Sequence, residues 1–117
     1  MQSDRYWQAL DELLSTSEVI IDRPRGSAHL RFQEMIYPLD YGYLAGTQAA
    51  DGNEIDCWIG SLPERQITAV VFTVDLIKCD MEGKLLLGCT PREMQIVTAF
   101  YGSGPMAAQL LVRERNE

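Results

Sequence analysis

The chain is poor in the residues that staple or clamp small folds. It holds three cysteines, Cys57, Cys79 and Cys89, with no Cys-x-x-Cys pair, and a single histidine, His29. An odd, scattered set of thiols excludes a disulfide framework, and so few soft ligands exclude a structural zinc site. Each cysteine lies in or beside an apolar stretch, so buried, reduced thiols are expected. Positive charge is also scarce: 10 Lys and Arg stand against 17 Asp and Glu, a formal net charge of −7. An acidic surface repels both nucleic acid and anionic membranes, and no basic–aromatic stripe is present, so neither is an expected partner. No apolar run approaches the about 20 residues of a spanning helix. Residues 1–11 are polar and charged, without the apolar core of a signal peptide, so a cytoplasmic location is expected. Linkers, repeats and low-complexity segments are missing too.

What remains is a chain of 117 residues, 46% hydrophobic and 23% charged, which suits one domain with its own core, spanning 1–117. Trp7, Leu10, Leu13 and Leu14 recur at helical spacing over residues 4–16, with Ser3 as the cap. Val19, Ile20 and Ile21 read as a short strand, ended by the turn Pro24-Arg25-Gly26-Ser27. A second short strand is expected over 30–37, stopped by Pro38, and mostly ordered loop over 37–56, where Gly, Asp and Tyr dominate. Residues 67–79 carry the strongest strand signal, leading through a turn at Asp80-Met81-Glu82-Gly83 into a partner strand over 84–89. Thr90-Pro91-Arg92-Glu93 is a capping box with proline at the first helical position, predicting a helix to about Tyr101, where Gly102, Gly104 and Pro105 stop it. Residues 106–112 fit either a helix or an edge strand.

Chemistry concentrates in Tyr37-Pro38-Leu39-Asp40-Tyr41-Gly42-Tyr43 and in Asp51-Gly52-Asn53-Glu54-Ile55-Asp56. Asp51, Asn53 and Asp56 can converge if Gly52 lets the backbone turn sharply. Oxygen-bearing side chains on one loop suit a hard cation such as Mg²⁺; the same tripeptide also forms an ordinary Asx turn.

Taken together, these stretches resemble the soluble, metal-dependent inorganic pyrophosphatases. That family's signature runs Tyr-Pro, then Asn-Tyr-Gly-Phe/Tyr, then an Asp-Gly-Asp-Pro-x-Asp loop. The matches here are Tyr37-Pro38, Tyr41-Gly42-Tyr43 and the loop ending at Asp56, with Thr47 before it, and the likeness covers roughly residues 18–101. Lys78-Cys79-Asp80-Met81-Glu82-Gly83-Lys84 corresponds to a shortened form of the family's second acidic segment. The resemblance implies a β-rich α+β fold, a small, partly closed, OB-like β-barrel with peripheral helices. It also implies Mg²⁺ or Mn²⁺ as cofactor, with Asp51, Asn53, Asp56, Asp80 and Glu82 as metal ligands. Asp56, Tyr41 and Lys84 become the expected catalytic residues, Asp56 helping to activate water. Arg31, Tyr37, Tyr41, Lys84, His29 and Tyr101 become the expected substrate-binding set.

The chain departs from the family in several places. Asn53 stands where the middle aspartate would be, and an amide brings no charge and takes no proton. His29-Leu30-Arg31-Phe32 replaces a Lys-Tyr-Glu, the hairpin before Tyr37 is largely deleted, and Tyr101 lacks its basic neighbour. The activity that the resemblance implies is Mg²⁺-dependent hydrolysis of pyrophosphate, a small anionic substrate, and self-association is expected through exposed barrel edges and the apolar face of helix 4–16. The alternatives are a non-catalytic metal- or phosphate-binding or assembly protein, and a hydrolase of an organic diphosphate.

Overall fold

The computed structural model describes residues 2–114. Helix α1 spans Asp4–Ser15; the Ser3 hydroxyl accepts the Tyr6 amide N–H, as expected of the cap. Strand β1 spans Glu18–Arg23, β2 Asp40–Ala45, β3 Ile55–Ile59, β4 Ile67–Asp75 and β5 Asp80–Leu87; helix α2 spans Pro91–Phe100, and β6 Met106–Val112. The capping box closes as expected, with Thr90 and Glu93 exchanging side-chain and backbone bonds. Glu93 also accepts the Ser61 amide, tying α2 to the segment after β3.

The six strands form one sheet in the order β1-β2-β3-β5-β4-β6. Every neighbouring pair is antiparallel except β3–β5, which is parallel. Each face is covered by a helix. Met94 and Val97 of α2 join Tyr37, Leu39, Trp58, Ala69, Val71, Leu86 and Tyr101 on one side. Trp7 of α1 joins Leu44, Cys57, Ile59, Ile67, Val70, Leu85 and Leu87 on the other.

Several expectations change. The barrel is not borne out as a closed structure. Val19 and Ile21 of β1 and Leu111 of β6 pack on one cluster, so the sheet curls, yet β1 and β6 share no ladder among the described residues. Curling brings edge side chains together without bringing the edge backbones within hydrogen-bonding reach. The strand expected over 30–37 is a bent loop with a single bridge, Ala28 to Ile36. His29 turns the chain there, its Nδ1 accepting the amides of both Arg31 and Phe32. The expected loop over 37–56 contains all of β2. Its glycine serves close packing, since a Cβ on Gly42 would collide with the Ile20 carbonyl of β1. Gly42→Ala is accordingly expected to cost about 1–3 kcal/mol, read as a lower denaturant midpoint, and to disturb Tyr41 and Tyr43 on either side.

The β4–β5 turn sits at 76–79, four residues earlier than expected, so Asp80–Gly83 is strand. Asp75 starts that turn by accepting the amides of Ile77 and Lys78. Cys79 lies in it, exposed and with φ 56°, a correction to the expected burial; Cys57 and Cys89 are buried, and all three are free thiols. Residues 106–112 resolve as the edge strand. No helix among the described residues is long and apolar enough to cross a membrane.

Candidate active site

Strand alternation puts the chemistry on the α2 face. Trp58 lies directly beside Leu86 across the parallel β3–β5 pair, so the alternate residues Asp56 and Lys84 share that face, with Glu82 and Asp80 further out along β5. On β2, Tyr41 opposes Trp58 and Tyr43 opposes Asp56. One end of the face is therefore apolar and roofed by α2, while the other carries charge.

Lys84 joins the two ends. Only 6% exposed, its ammonium donates to Tyr41 Oη at 3.0 Å, Asp56 Oδ2 at 3.1 Å and Glu82 Oε2 at 2.9 Å. An ammonium has three N–H donors, so all are engaged. Burial alone would depress this pKa, but Tyr101, Tyr41 and Asp56 around it outweigh that and raise it. Burial raises Tyr41 and pushes Tyr101 up to about 12, leaving both un-ionised near neutrality. The carboxylates are thus what hold Lys84 charged at neutral pH.

The acidic loop adopts the Asx turn that its composition allows. Asp51 Oδ1 accepts the Asn53 amide at 3.0 Å, the Asn53 side-chain amide reaches Asp51 Oδ2 at 3.4 Å, and Gly52 sits at φ 86°. Thr47 braces the loop by accepting the Ile55 amide and donating to the Leu44 carbonyl. Asp51 is held below the usual carboxylate range, first by the Asn53 backbone amide and also by the Glu82 carboxyl group, near enough for a side-chain hydrogen bond. Asp51, Glu82, Lys84 and Asp56 form one connected series.

An aromatic stack lies beside it. The Tyr37 ring packs 5.4 Å from Tyr41, 5.7 Å from Trp58 and 5.5 Å from Phe100. Trp58 donates its indole N–H to Tyr101 Oη at 3.1 Å. His29 stacks on Tyr37 with centroids 6.0 Å apart and planes within 8°. Its Nδ1 accepts two amides, so a neutral ring carries its proton on Nε2. His29 is held below its ordinary pKa by burial and then by Arg23, Lys78 and Arg31.

Of the expected residues, Asp51, Asp56, Glu82, Lys84 and Tyr41 come together. Asn53 faces Asp51, and Asp80 lies one step outward of Glu82 on the strand. Tyr101 is buried against Trp58 and approaches the series through Lys84, 5.9 Å from its ring. Arg31 is exposed with its guanidinium over Phe32, 5.5 Å from the ring centroid. Sequence reasoning missed Arg23, which donates from Nη1 to Tyr37 Oη at 3.1 Å. Its only sequence signal is a charge pair, Asp22-Arg23, breaking the apolar run of β1.

Among the described residues, no group of three or more His, Cys, Asp and Glu side chains is arranged to enclose a metal ion. The five expected ligands are therefore not a preformed cage. The donor chemistry fits a different arrangement. Mg²⁺ keeps most of its waters and takes one or two carboxylates together with substrate phosphate oxygens, and Asp51 and Glu82, close to one another, have the oxygen donors that such an arrangement would use.

No family model matches the chain, and no curated protein sequence does. Solved structures do match. An inorganic pyrophosphatase from Neisseria gonorrhoeae superposes with a TM-score of 0.64 at 15% identity, covering 80% of each chain. One from Helicobacter pylori gives 0.58 at 13% identity, covering 83% of this chain and 85% of the other. One from Coxiella burnetii gives 0.58 at 14% identity, covering 79% and 81%. With its tyrosines, carboxylates and lysine gathered on one face of the sheet, the chain has the fold of the inorganic pyrophosphatases.

Proposed function

We propose that the chain is a divergent pyrophosphatase-type hydrolase that cleaves the phosphoanhydride bond of pyrophosphate. The observation that carries this reading is the convergence of Asp56, Glu82 and Tyr41 on the buried Lys84 ammonium, with Asp51 beside Glu82, on a pyrophosphatase fold. Mg²⁺ bound with the substrate would neutralise phosphate charge and acidify a water, held by Asp51 and Glu82. Asp56 keeps Oδ2 on Lys84, so its other oxygen is the proposed acceptor of the water proton as the new P–O bond forms. The leaving phosphate takes the electron pair of the broken P–O bond. Tyr41, held neutral by burial, keeps its hydroxyl proton as a donor. The remaining expectations belong to the same proposal: action in the cytoplasm on a soluble anion, and self-association through the free edges of β1 and β6.

Asp56→Asn tests the assignment. The amide still accepts from Lys84 but takes no proton, so phosphate release is expected to fall about 10²–10⁴-fold while the fold is kept. Release unchanged in a folded variant would remove Asp56 from the reaction. One observation favours the non-catalytic alternative: all three Lys84 donors are spent inside the protein. Metal-dependent binding of a diphosphate without turnover would select that alternative.

A further inference from the structure

Resting on that reading, we propose that Arg23 is the principal side-chain ligand of a substrate phosphate group. The backbone aims it. Ile21 pairs with Gly42 and Arg23 with Tyr41, leaving Asp22 as the extra residue of a bulge. Without the bulge, Asp22 would stand opposite Tyr41; with it, Arg23 takes that place on the site face. Bulges recur where a strand re-aims a side chain into a site.

The chemistry of the guanidinium agrees. Arg23 is half-buried, lies 5.8 Å from the Tyr37 ring centroid and spends one donor on the Tyr37 hydroxyl. No carboxylate lies within ion-pair distance of it among the described residues, whereas Lys84 and Arg113 are both paired. A guanidinium has five N–H donors in a planar fork that matches a phosphate.

Cations outnumber carboxylates around it in a chain of net charge −7, Asp22 being the carboxylate that acts on Tyr37. Arg23, Lys78 and Arg31 all act on His29, whose ring stacks on the same Tyr37. Gathering like charges at one place is unfavourable alone and is relieved by an anion. Lys84 is the weaker candidate for this task, because it must break a bond inside the protein before it donates to a ligand. The tyrosine pair Tyr37–Tyr41 then separates two half-sites, an anion-binding side at Arg23 and a carboxylate side at Asp51, Asp56 and Glu82. A metal–diphosphate complex has the charge distribution to bridge them.

The experiment compares wild type, Arg23→Gln and Arg23→Lys. It measures calorimetric binding of imidodiphosphate, in which NH replaces the bridging oxygen of pyrophosphate, with Mg²⁺, phosphate release from pyrophosphate, and the melting temperature without ligand. Arg23→Gln is expected to weaken imidodiphosphate binding and raise KM by about 10–100-fold, with a smaller change in kcat. Arg23→Lys should recover part of the loss, keeping the charge but not the fork. Equal binding by wild type and a folded Arg23→Gln overturns the inference while leaving hydrolysis standing. Wild type that binds imidodiphosphate through Arg23 but releases no phosphate overturns the hydrolase and keeps the inference. Wild type that binds nothing overturns both.

Discussion

Lys84→Met is expected to cost about 2–4 kcal/mol of stability and to lower phosphate release about 10²–10³-fold. Methionine fills much of the same volume, so packing is nearly kept and the change reports on charge. Without the ammonium, the Tyr41 hydroxyl loses its donor, and Asp56 and Glu82 lose the cation between them. Their side chains are 35% and 26% exposed, so water relieves part of the repulsion, which keeps the cost below that of a fully buried orphaned pair. Adding Glu82→Gln to Lys84→Met removes one of the two carboxylates and is expected to restore part of the stability but none of the turnover. Urea denaturation of the two variants measures this directly. A Lys84→Met chain as stable as wild type would mean that the buried network is not a keystone of the fold.

Trp58→Ala is expected to be still more damaging, at about 3–5 kcal/mol or more, close to the total stability of many domains this size. Trp58 is fully buried at the centre of the sheet. Its ring meets Tyr41 at 4.7 Å, Phe100 at 5.3 Å and Tyr101 at 6.0 Å, edge to face in each case. Deleting it opens a cavity between β3 and α2 and strands the buried Tyr101 hydroxyl, which loses its indole donor. Trp58→Phe keeps most of the volume and should fold with a smaller loss. Circular dichroism through a thermal melt separates the two, with the alanine variant expected to be largely unfolded near physiological temperature. A cooperative melt near the wild-type temperature for Trp58→Ala would contradict this view of the core.

These two residues also mark what was legible in the sequence. The helices were readable because their signals are local: Ser3 caps α1, and Thr90 with Glu93 closes the box that starts α2. β4 was readable because it is apolar on both faces. β2 was not, because Asp40-Tyr41-Gly42-Tyr43 has turn composition, and only contact with Ile20 across the sheet explains the glycine. The β4–β5 turn was misplaced because Asp80-Met81-Glu82-Gly83 has the composition of a turn. What decides its position is Asp75, which accepts the amides of Ile77 and Lys78 after it, and Cys79, which accepts a positive φ.

At the candidate site, loop composition pointed to Asp51 and Asp56, and the family resemblance added Glu82, Lys84 and Tyr41. That Lys84 would lie buried with every donor engaged depended on the parallel β3–β5 pairing, a long-range contact that no local pattern encodes. Arg23 was hidden for the same kind of reason. Its place depends on a bulge in the β1–β2 ladder, which pairing rather than composition determines.

The most direct test of the central claim is phosphate release from pyrophosphate by the purified wild-type chain, with Mg²⁺ titrated from none to millimolar. Release that depends on the metal and saturates with substrate is the expected result. Absence of release at every Mg²⁺ and Mn²⁺ concentration, from a chain shown to be folded, would contradict it.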